Sequence, residues 1–93
     1  MDNSQLEKKA TESNAVHLER VRATLKERRQ AAQDALELKR HLVEALAVAV
    51  RGGAAPPVRA ELMRALQQAC RRLGIARGLV DITEAHLVVA LNR

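Results

Sequence analysis

The chain has 93 residues, a formal net charge of +5 and no Phe, Trp or Tyr. That length allows one small domain at most, and its core must be built from Leu, Val, Ile and Ala in thin layers. One cysteine excludes an internal disulfide framework, and no apolar run approaches the ~20 residues a bilayer span requires.

Residues 1–14 are polar, with Leu6 and Ala10 the only apolar points apart from Met1. Nothing in this stretch would bury a helix, so a flexible leader is expected, without the apolar core of a signal peptide. Ser13 or Asn14 is the expected N-cap of the first long helix. From there Leu18, Val21, Leu25, Ala32, Ala35, Leu36, Leu42, Val43, Leu46 and Val50 fall on one side of a helical wheel. Arg28 and Lys39 interrupt this stripe. From Leu42 to Val50 the helix is apolar almost all round, so one neighbouring helix cannot cover it.

Residues 51–57, Arg-Gly-Gly-Ala-Ala-Pro-Pro, form the only cluster of glycine and proline. Glycine past one helix end and proline inside the next start predict a turn. Beyond it Val58, Leu62, Leu66, Ala69, Leu73, Ala76, Val80, Thr83, Leu87 and Leu91 form a nearly heptad stripe. The stripe runs through Gly74 and Gly78, which favours one continuous helix. The alternative breaks it near Gly78 and restarts it at Asp81, where Glu84 three residues on completes a capping-box pattern.

These elements predict an all-α fold: a long, coiled-coil-like antiparallel helical hairpin over residues 15–93, with two arms of equal length. Folding at the turn places Val50 near Val58, Leu46 near Leu62, Leu36 near Leu73 and Leu18 near Leu91. Arg28 then faces Val80, and Lys39 faces Ala69, their stems packed and their charges at the edge.

Residues 51–93 carry seven Arg against three acids, so the second arm is the basic one. Its arginines scatter round the wheel, aromatics for base stacking are absent, and nucleic acid is disfavoured as a partner. His17, His41 and His86 lack ligand spacing, although the hairpin brings His17 and His86 to one end; no metal or cofactor is expected. Cys70 is expected as a buried thiol in a reducing cytosol. No catalytic constellation is present. A small helical mutase would need Arg28 or Lys39 converging with acids in an enclosed cavity.

A two-helix chain without aromatics is marginal alone, which calls for a partner. The candidate docking residues are Leu42, Leu46, Val48 and Val50 before the turn, and Leu87, Val88, Val89 and Leu91 at the end. A further strip joins Met63, Cys70, Gly74 and Gly78, whose small-xxx-small spacing would let another backbone approach. A homodimer is a second way of covering these surfaces.

One family shares this layout. Arg51-Gly52-Gly53, Pro56 or Pro57, Arg64-Ala65-Leu66-Gln67-Gln68-Ala69 and Leu73-Gly74-Ile75 resemble the small E component of type III secretion needle co-chaperones. The resemblance spans roughly residues 30–82 and lies in turn and helix composition. It implies a cytoplasmic, non-enzymatic hairpin that binds a tetratricopeptide-like co-chaperone. Together the two would keep the needle subunit soluble before export.

Overall fold

The computed structural model describes the backbone of residues 3–92 and the side chains of residues 13–92. Two helices make up the fold: α1, Asn3–Arg51, and α2, Pro56–Leu91, packed antiparallel as a hairpin. The all-α hairpin read from the sequence is the fold observed.

The turn shows why the glycines and prolines stand where they do. Gly53 adopts φ 69°, the left-handed region in which a Cβ is disfavoured. The Ala54 N–H donates to the Ala49 carbonyl (2.9 Å) and the Gly53 N–H to that of Val50 (3.2 Å), a Schellman closure of α1. Ala55 is extended at φ −58°, ψ 146°, as the residue before a proline prefers. Pro56 and Pro57 open α2, so two of its four unpaired leading amides do not exist. The Ala55 carbonyl accepts from the Val58 and Arg59 amides.

The second helix is continuous through Gly74, Gly78 and Asp81, and no cap forms at Asp81. The heptad stripe explains this, because a break would have removed its lower half from the seam. Each internal glycine costs only about 1 kcal/mol against Ala, which the packed stripe outweighs.

Two expectations need correction. The first helix starts at Asn3 rather than at Ser13 or Asn14, so α1 has 49 residues and α2 has 36. The arms are therefore unequal. Nothing in 3–14 breaks a helix: there is no Gly or Pro, so the helical register continues past the last residue that α2 can reach. The side chains expected to make up the leader lie largely outside the described residues. Cys70, expected buried, is exposed. It follows Ala69, which is buried in the seam, and one residue is a rotation of about 100°.

Between the helices runs a thin seam. Leu25, Ala69, Leu73 and Thr83 are the buried side chains among the described residues. Leu18, Val21, Leu36, Leu42, Leu46, Leu62, Leu66, Val80 and Leu87 are half-buried along the same line. Val43, Val50, Val58 and Leu91, placed in the stripes by periodicity, remain exposed. With one neighbour per helix, the rims of each stripe keep contact with water.

Candidate partner-docking surface

The docking candidates divide by whether the hairpin itself uses them. Leu42, Leu46 and Leu87 are half-buried in the seam. Val48, Val50, Met63, Val88, Val89 and Leu91 stay exposed. At the turn end Leu46, Val50 and Met63 come together with Pro56, Arg59 and Ala60 round a groove of 360 Å³. The sequence separated Met63 from Leu46 and Val50; the turn joins them.

Cys70 and Gly74 are exposed and Gly78 is half-buried. A Cβ built on Gly74 or Gly78 would meet nothing within 4 Å. The glycines are therefore not needed for the approach of α1. Their strip is an open, flat flank of α2.

A larger apolar feature escaped the sequence reading. Ile75, Leu79 and Ile82 are exposed, and Ile75, at 67%, is the most exposed large apolar side chain among the described residues. With His86 and Val89 they recur at steps of 4, 3, 4 and 3, a second heptad line on α2. Ile75 is two residues from Leu73, hence about 200° round the helix from the seam. The signal was in the sequence: two heptad lines on one helix. Only the inner one continues up to the turn, as Val58, Leu62 and Leu66.

Polar contacts in the seam concentrate at the open half. Arg28 donates through Nη1 to the hydroxyl of Thr83, which in turn donates to the Leu79 carbonyl at 2.7 Å. Thr83 is only 2% exposed, so this hydroxyl is both desolvated and satisfied. Arg28 thus reaches the stripe position after Val80, its expected neighbour. Beside it Arg29 pairs with Glu84 at 3.2 Å on the surface. Solvent screening keeps such a pair weak, about 0–1 kcal/mol.

His17 and His86 line the same 260 Å³ groove, with Val21, Val89 and Ala90. Among the described residues no three His, Cys, Asp or Glu side chains gather as a metal site. Arg22, Lys26 and Arg29 line a basic groove of 520 Å³ with Leu25, Gln30 and Leu87. No helix among the described residues is long and apolar enough to cross a membrane.

Comparison with known proteins adds no relative: no family model, curated protein or solved structure matches the chain.

Proposed function

We propose that this chain is a non-enzymatic helical-hairpin adaptor: a co-chaperone that binds a helical-repeat partner. In its specific form the reading is a cytoplasmic co-chaperone that keeps a type III secretion needle subunit soluble before export. What supports the adaptor role is the imbalance between covered and uncovered apolar surface. Among the described residues three apolar side chains are buried, whereas thirteen large hydrophobic ones are exposed. Burial of an apolar side chain is worth about 1.5–3 kcal/mol, so much of the available stabilisation is left for a partner. The turn and helix composition around residues 51–57 and 64–75 supports the needle-specific form.

Co-expression tests the reading. Alone, the chain is expected to be poorly soluble or to self-associate, and a tetratricopeptide-like co-chaperone from the same genome restores a soluble complex of defined stoichiometry. A monodisperse monomer that melts sharply at low concentration, indifferent to that partner, refutes it. The basic groove at Arg22, Lys26 and Arg29 favours nucleic acid as a second reading. Affinity for DNA or RNA that falls steeply with salt would establish it.

A further inference from the structure

We infer that the outer face of α2 docks a single amphipathic helix of another protein, with an apolar heptad that ends in an acidic turn. The inference rests on the adaptor reading and specifies the chemistry of the partner. Ile75, Leu79, Ile82 and Val89 form an exposed line at coiled-coil spacing. Such a line suits one helix laid along it, as in helix-in-groove recognition. Its flank is low: Gly78 and Ala85 border it on one side, and a Cβ at Gly78 would meet open space. Another helix can therefore approach towards the short end of the usual separations, about 8 Å.

Charge decides between occupants. Towards the turn the same face continues as Arg64, Arg71 and Arg72, all exposed. Among the described residues none of the three is paired with a carboxylate; Arg64 turns its Nε to the Ala60 carbonyl of its own helix. Glu61 is the one acid on this face, and Asp81 and Glu84 lie off it. A partner helix with Asp or Glu opposite Arg64, Arg71 and Arg72 would complete the face.

A second copy paired through the same face of α2 would not. Parallel pairing sets arginine on arginine. Antiparallel pairing about Ile82 joins Ile75 to Val89 but brings Arg72 opposite Asn92, with no acid in reach. An anionic lipid surface would satisfy the arginines, yet membrane-surface helices characteristically use a broad apolar face with aromatic residues, and this chain has none.

The test uses the full chain and labelled synthetic helices of about four heptads. One has Leu at the core positions and a Glu-rich end; a second has a Lys-rich end; a third has Gln at the core positions. The expected result is binding of the first at least tenfold tighter than the other two. Ile75→Gln with Ile82→Gln should abolish it, and Arg71→Glu with Arg72→Glu should transfer the preference to the Lys-rich helix. Circular dichroism checks that these exposed-face variants keep the parent's helicity and melting. Equal binding of the Glu-rich and Lys-rich helices overturns the inference. So does a discrete dimer in sedimentation that the Ile pair dissolves, which would assign the face to a second copy. Retention on anionic phospholipid vesicles that needs Ile75 and Ile82, without helix binding, assigns it to a membrane surface. If the Glu-rich helix binds but no helical-repeat co-chaperone rescues solubility, the docking chemistry stands and the co-chaperone reading falls. If solubility is rescued without selective helix binding, the co-chaperone reading stands and the docking chemistry falls.

Discussion

The two heptad lines of α2 differ in what covers them. The inner line buries Ala69, Leu73 and Thr83, two of which are small. The outer line exposes Ile75, Leu79 and Ile82, and its end at His86 and Val89 borders the groove shared with His17 and Val21 of α1. Here the seam takes Ala and Thr at its centre and half-covers Leu62, Leu66, Val80 and Leu87, while the large residues of the second line stay on the surface. The hairpin is therefore a closely spaced support, and α2 presents its second line outward.

The sharpest way to break this contrast is to truncate each line in turn. Leu73→Ala should cost about 2–4 kcal/mol in urea unfolding, since it deletes a buried side chain from a thin seam. Ile75→Ala should change the isolated chain by no more than about 0.5 kcal/mol, because the side chain is already wet. Equal costs would mean that the outer line is covered within the free protein. Thr83→Val tests why a hydroxyl sits on the inner line. Losing the acceptor for Arg28 should cost about 1–2 kcal/mol, and Arg28→Leu in the same chain should recover part of it.

Gly53→Ala addresses the turn that sets both lines in place. A Cβ in the left-handed region should lower stability by about 1–2 kcal/mol, read from the melting midpoint. The smallest effect has the opposite sign. Gly78→Ala should stabilise the free chain by about 1 kcal/mol, as helix propensity rises and the new methyl meets nothing. If a partner helix uses that flank, the same substitution should weaken docking while it raises the melting temperature.

Much of the hairpin was legible from local rules. Gly53 and Pro56 marked the turn because left-handed backbone and a helix first turn have strong residue preferences. The line from Val58 to Leu91 marked a continuous helix, and its periodicity outweighed the two glycines. The start of α1 was less legible. Ser13 and Asn14 are good caps, but a cap residue also sits inside a helix at small cost when nothing before it stops the chain. Cys70 was misplaced because its residue type argues for burial and its position, one step past Ala69, argues against it. Position prevailed, since a two-helix seam has room on one side only.

The exposed apolar surface was half legible. Val48 and Val88 were singled out for apolar excess and Met63 for the strip beside Gly74, and all three are exposed. Ile75, Leu79 and Ile82 were passed over although they repeat as regularly as the inner line. Periodicity specifies that a helix has an apolar line; it cannot say which of two lines meets the neighbour.

By itself, then, the sequence determined two helices, the turn between them and a chain with more apolar surface than one hairpin can cover. Those properties depend on backbone preferences and residue spacing, which are local. Only the tertiary structure decided that α2 turns Leu73 and Thr83 inward and Ile75 and Ile82 outward, and that Arg28 is satisfied by Thr83. Those outcomes depend on how closely two particular helices approach, a property of the pair that neither arm carries alone.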